Sequence, residues 1–211
     1  MAPPETEDLR RPVTHPPGAA NELPLFPLQT VLFPEGPLAL RVFEPRYLDM
    51  VARCLRGVNR FGVVAIRHGA EVGVATTHDV GTTAEIVDWH QESGGLLGIL
   101  AVGRDRFRLE HTSRQADGLY VGRVAWLAVT PPTALPSVHA PLAALLRRLV
   151  EQHPAYRGIA AAYDDAAWVA DRLVETLPLP LVVKQELLET PEPLARLERL
   201  AAALRSGQIG G

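Results

Sequence analysis

The side chains able to do chemistry are few and scattered. Seven histidines, at positions 15, 68, 78, 90, 111, 139 and 153, show no H-x-x-x-H or H-x-H spacing, so they are read as loop positions and not as a preformed metal site. Asp164 and Asp165 are adjacent carboxylates, but they precede an apolar helical stretch, where an acidic side chain caps free N–H groups and meets the positive end of the helix. Lys184 follows Val183, which excludes a G-x-x-x-x-G-K-[ST] phosphate cradle. No G-x-S-x-G elbow occurs. Ser93, Ser113, Ser137 and Ser206 fall in loops or at a terminus without a readable base nearby, and a Ser–Lys dyad would have to use Lys184, which sits among helical residues. Cys54 lies on an apolar helical stripe, where a thiol behaves as a small hydrophobe. No catalytic residue, metal ligand or cofactor is assigned, and the chain is read as noncatalytic.

Binding chemistry remains. GRDRFRLE (103–110) carries Arg104, Arg106 and Arg108; in a strand Arg106 and Arg108 point to one face, Phe107 and Leu109 to the other. Such a strip either keeps an exposed strand edge from pairing or meets phosphate. The first reading predicts that glutamine at 106 and 108 leaves the fold nearly intact. Trp89, Trp126 and Trp168 are read as core or interdomain aromatics. Arg46, Trp89, Arg106, Arg108 and Trp168 are the candidate residues for contact with a ligand or partner.

The elements that must position them sit in a chain of 211 residues, 47% hydrophobic and 21% charged, with a formal net charge of −3. That is the profile of a folded protein, and the negative balance argues against a dedicated nucleic-acid binder. One domain, or two small ones sharing a core, fits this length. No apolar run approaches a membrane span and no signal segment opens the chain, so a cytoplasmic protein without membrane attachment is expected. A single cysteine excludes an internal disulfide framework. Lys184 is the one lysine among 21 basic residues, which points to codon usage in a GC-rich bacterial genome.

Residues 1–22 hold five prolines and no periodicity and are expected to be a flexible tail. From Leu23 apolar runs are cut by Pro24, Pro27, Pro34 and Pro37, which suits short extended pieces. The spacing predicts a helix over 44–55, with Pro45 in its first turn and Tyr47, Leu48, Val51, Cys54 and Leu55 on one face. Six short strands follow, at 61–66, 73–76, 83–89, 96–102, 106–110 and 120–127, with hairpin connections at 93–95 and 117–118. Residues 131–140 are a Pro-rich connection. From 141 the period becomes helical, with stripes at 142–150, 166–177 and 194–204 and a short helix near 181–189. Thr190-Pro191 reads as N-cap and N1 of the last helix and Gly207 as its stop. The fold class is α+β: a β-rich unit at 23–130 and a helical unit at 141–211.

LPLFPLQTVLFPEGPLALRVFEPRYLDMV (23–51) resembles the opening of the Lon protease N-terminal, substrate-binding domain. FGVV (61–64), VGTTAEIVD (80–88), VGRDRFRL (102–109), YVGRVAWL (120–127) and the segments at 168–180 and 184–200 are similar to its later blocks, in order. The resemblance implies a PUA-like β pseudo-barrel followed by a helical bundle. It also implies that the ATPase and Ser–Lys peptidase of the full protease lie outside this region, so a stand-alone bacterial member is expected. It carries over no catalytic residue. Glu44 is expected to cap the first helix and Arg46 to pair with a carboxylate across the barrel.

Two functions follow. The first is a noncatalytic module binding a polypeptide or protein partner, as adaptor or substrate recogniser, through the groove between barrel and helices. The second, by fold analogy with PUA-like proteins, is RNA or nucleotide binding.

Overall fold

The computed structural model describes residues 21–57, 60–71, 73–157 and 159–205. The tail expected at 1–22 lies outside them apart from its end: Glu22 already belongs to a strand, and the Asn21 carbonyl accepts from Val124. Gly207 also lies outside.

Strand β1 is Glu22–Leu28, β2 Pro37–Val42, β3 Arg60–Gly69, β4 Ala75–Gln91, β5 Leu97–Arg114 and β6 Tyr120–Trp126. Helix α1 is Pro45–Arg56, α2 Ala140–Glu151, α3 Ala166–Thr176, α4 Leu181–Glu189 and α5 Pro193–Arg205. The sheet order is β2-β5-β4-β3-β1-β6, and β5 also pairs with β6, so five strands close a hydrogen-bonded ring on which β2 rides as a sixth.

The segments read as separate strands at 73–76 and 83–89, and at 96–102 and 106–110, are two long strands. Register shifts in the β4–β5 ladder between Thr82 and Ala84 and between Ile86 and Asp88 allow this. Each shift bends the ladder without ending it, so a long strand can follow the curve of a ring. Both hairpin connections are present, with Gly94, Gly95 and Gly118 at φ near +80 to +86°, which glycine adopts without Cβ strain.

Helix α1 buries Tyr47, Met50, Val51 and Cys54, at i, i+3, i+4 and i+7, against Phe26, Phe61 and Ile99 inside the ring. The expected face was rotated slightly: Met50 is fully buried, whereas Leu55 is exposed. Fully burying a side chain of this size contributes about 1.5–3 kcal/mol. Cys54 is core, its Sγ donating to the Arg60 carbonyl at 3.1 Å, and burial pushes its thiol pKa up. Glu44 makes no side-chain capping bond. It pairs instead with Arg46 at 2.7 Å, and Arg46 donates to Gly118 O at 3.0 Å, so the expected pairing across the barrel is a local one that ties α1 to the β5–β6 turn.

The Tyr47 ring stacks on Phe26 at 3.9 Å, and burial pushes its phenol up to about 12 from 10. A folded pKa raised above the unfolded value leaves stability untouched below pH 10 and removes it as pH climbs towards 12. In an alkaline titration followed by phenolate absorbance, Tyr47→Phe is therefore expected to lose less stability than the parent over that window. Equal losses would show that Tyr47 ionises freely in the folded protein.

A further apolar cluster joins Val31, Phe33, Ala65 and Val80 of the β-rich half to Leu146, Trp168, Val169, Leu173, Leu188 and Leu197 of the helices. Asp165 caps α3 by accepting from Ala167 at 2.9 Å. Thr190 is the C-cap of α4, not the N-cap of α5, which begins at Pro193; its hydroxyl donates back to Glu186 O. No helix among the described residues is long and apolar enough to cross a membrane.

Candidate functional site

Where β5 meets α3 and α5, a cavity of about 340 Å³ opens beneath the extended segment 127–132. The β5 side supplies Arg106. Helix α3 supplies Trp168 and Asp171 and α5 supplies Arg196, while Leu127, Val129 and Pro131 form an apolar wall. Ala128 to Pro132 lie outside the regular ladders, since two successive prolines end strand pairing there.

Asp171 and Arg196 are both buried and form an ion pair. Arg196 occupies the apolar face of α5 at the spacing Pro193, Arg196, Leu197, Leu200, so folding carries its charge inward, and Asp171 neutralises it. Burial is the dominant influence on Asp171 and pushes its pKa up, against the pull of Arg196. Arg106 donates to the Leu188 carbonyl at 2.8 Å and to Thr130 Oγ1 at 3.2 Å. Burial and the Arg196 charge lower its pKa. On two of the lining residues, Trp168 Nε1 and Arg196 Nε are buried without a partner among the described residues. A buried N–H left unmade costs about 1–3 kcal/mol, so a hydrogen-bond acceptor that reached either group on binding would recover energy.

Of the residues singled out from sequence, Arg106 and Trp168 meet here, and the others lie elsewhere. Arg46 is turned to Gly118, Trp89 is 54% exposed towards the end of β4, and Arg108 is exposed on β5. The arginine strip is thus not an exposed edge. β5 has neighbours on both sides, Arg106 is covered by α4, and Arg104 is bound to Glu85 at 2.5 Å. Asp171 and Arg196 were missed. The readable signal was a charge at core phase in α5, which demands a buried counter-ion but does not say where in the chain it lies.

The cavity lining carries Thr130 and the carboxylates Asp105, Asp165 and Asp171, with no serine, cysteine, histidine or lysine among the described residues. Ser113 Oγ turns to Val121 O and Lys184 Nζ donates to Glu175 O, which does not assemble a Ser–Lys dyad. Burial lowers the Lys184 pKa. Among the described residues no group of three or more His, Cys, Asp or Glu is placed to hold a metal.

Residues 22–206 match the family described as the ATP-dependent protease La (LON) substrate-binding domain. The chain belongs to that family. The crystal structure of a Lon N-terminal domain protein from Xanthomonas campestris superposes with a TM-score of 0.73 at 37% identity, covering 86% of this chain and 97% of that one. The N-terminal domain of a Mycobacterium avium complex Lon protease shares the fold, at a TM-score of 0.58 and 15% identity over 85% and 95% of the two chains. Among curated sequences, cereblon from Danio rerio is 32% identical over 67% of this chain and 32% of its own length. Lon protease 2 of Myxococcus xanthus is 28% identical over 87% of this chain and 24% of its own length. The chain therefore spans about a third or less of these two curated relatives.

Proposed function

We propose that this Lon-type domain is a noncatalytic module that binds polypeptide, as an adaptor or substrate recogniser working in the cytoplasm. Its β ring corresponds to a PUA-like pseudo-barrel and its later helices to the family's C-terminal bundle. The observation that carries the reading is the junction cavity, which combines an apolar wall with two unpartnered buried N–H groups. An unfolded chain offers what such a wall takes, apolar side chains beside backbone carbonyls. The family's description as substrate-binding supports the same reading.

The test is fluorescence anisotropy with a labelled, reduced and carboxymethylated unfolded protein, run against its native disulfide-bonded form. The unfolded form is expected to bind and the native form not. Trp168→Phe keeps an aromatic ring, though a smaller one, but loses the N–H, and should weaken binding about fivefold, the worth of roughly one hydrogen bond. ATP and casein should remain intact throughout. Failure to bind any unfolded polypeptide sinks the reading.

A further inference from the structure

β2 is the one strand of the sheet with a single strand neighbour, β5, among the described residues. An antiparallel ladder turns alternate peptide groups of each strand towards the partner, so the remaining peptide groups of β2 face away from β5. The start of this edge is covered, because Pro37 and Leu38 share a small cavity with His153, Ala155 and Tyr156. The rest is open. Four consecutive residues, 39–42, border a concavity of about 540 Å³. Side chains of consecutive strand residues point to opposite faces, so a space bordered by four in a row reaches both faces of β2, and it meets Gly98 and Ile99 of β5 and His90 of β4 as well.

The same concavity has an apolar floor and an acidic rim. Phe26 and Leu28 of β1 and Ile99 of β5 supply the floor, and Phe43, 60% exposed, stands beside it with its ring in solvent. Three carboxylates, Glu44, Glu71 and Glu92, face one lining guanidinium, Arg41. Arg41 is committed to Glu92 at 3.2 Å, and Glu44 is matched by Arg46. Glu71 accepts the Gln29 backbone N–H at 2.8 Å and has no cationic partner among the described residues. The site therefore offers unpaired main-chain groups in a line, recesses for apolar side chains and uncompensated negative charge.

We infer that the free edge of β2 is a strand-addition site for an extended polypeptide segment in which large apolar residues alternate with arginine or lysine. Main-chain hydrogen bonds supply the affinity, as in other cases where a peptide extends a sheet. Apolar residues of the segment enter beside Phe26, Leu28 and Phe43, and its basic residue meets Glu71. The inference rests on the polypeptide-binding reading but moves its specificity to a second surface, away from the junction cavity.

The experiment uses the full chain and a labelled synthetic peptide of alternating valine and arginine, followed by anisotropy. Three comparison ligands are needed: a peptide N-methylated at alternate amides, a peptide with glutamate for arginine, and the carboxymethylated unfolded protein used above. N-methylation keeps every side chain but removes the strand-pairing donors. It is expected to weaken binding about 25-fold, for two hydrogen bonds worth roughly fivefold each. The glutamate peptide should bind less well, with the difference shrinking as salt rises. Phe43→Ala should weaken the parent peptide, and hydrogen exchange should slow at 39–42 when it binds. Equal affinity for the N-methylated peptide, or protection at 127–132 in place of 39–42, overturns the proposal while leaving polypeptide binding intact. Failure of the unfolded protein and all peptides to bind overturns both. A dimer in sedimentation that persists under saturating peptide gives the edge to a second copy and also overturns it.

Discussion

Arg196→Met is expected to lower stability by about 3–5 kcal/mol, the cost of leaving one member of a buried ion pair without the other. At about 2–4 °C per kcal/mol for a chain of this size, Tm should fall by roughly 10 °C. Arg196 is 1% exposed and its partner Asp171 is 5% exposed, so water cannot replace the lost contact. The neighbouring cations do not step in. Arg106 is held by Leu188 O and Thr130, and Arg172 by Glu175 and by the Pro34 carbonyl at 2.7 Å. Asp171, already pushed upward by burial, then loses its nearest cation. Its neutral form is favoured by the fold, so the deficit should be at its full size above the raised folded pKa and shrink as pH falls through it towards the unfolded value. The double variant Asp171→Leu, Arg196→Met removes both charges and should recover most of the loss, since a buried pair often does no better than apolar residues of similar volume. Urea denaturation of the parent, both single variants and the double variant measures this. A single-variant loss below about 1 kcal/mol would mean that water or another residue solvates the surviving charge.

The elements legible in the sequence were those with local cause. Pro45 in a first turn, the apolar periodicity of α2, α3 and α5, Asp165 as a cap and the glycines of two hairpins all act through neighbours within a few residues. The long strands were not legible, because the register shifts that let β4 and β5 continue through Thr82–Ala84 and Ile86–Asp88 are set by the partner strand. Nor was the covering of Arg106, which depends on a helix 82 residues away. The candidate site was half legible. Trp168 and Arg106 were marked by type and face, whereas the Asp171–Arg196 pair is a tertiary coincidence of two helices. The open edge of β2 is a fact of sheet order, which its residues alone do not announce.

Splitting the arginine strip gives the second large effect. Arg106→Gln is expected to cost about 2–3 kcal/mol, because a charge-assisted bond to the buried carbonyl of Leu188 is lost and that carbonyl is left in an apolar setting. Arg108→Gln, on the exposed part of the same strand face, should stay within about 0.5 kcal/mol. This corrects the expectation that both replacements are equally mild. It bears on nucleic acid as well. With Arg106 tied to α4 and Arg104 tied to Glu85, the cluster presents Arg108 as its one solvent-exposed guanidinium. A phosphate backbone is held by several cations acting together, and each lost contact flattens the salt dependence by roughly one unit. The chain is therefore expected to bind RNA no more tightly than about 10⁻⁵ M at physiological salt, within the non-specific range, with Arg108→Gln changing the slope by about one unit at most. Filter binding at two salt concentrations, with the parent and Arg108→Gln, decides it. Tight, salt-sensitive binding abolished by that single exposed substitution would assign this face to nucleic acid and displace the polypeptide reading.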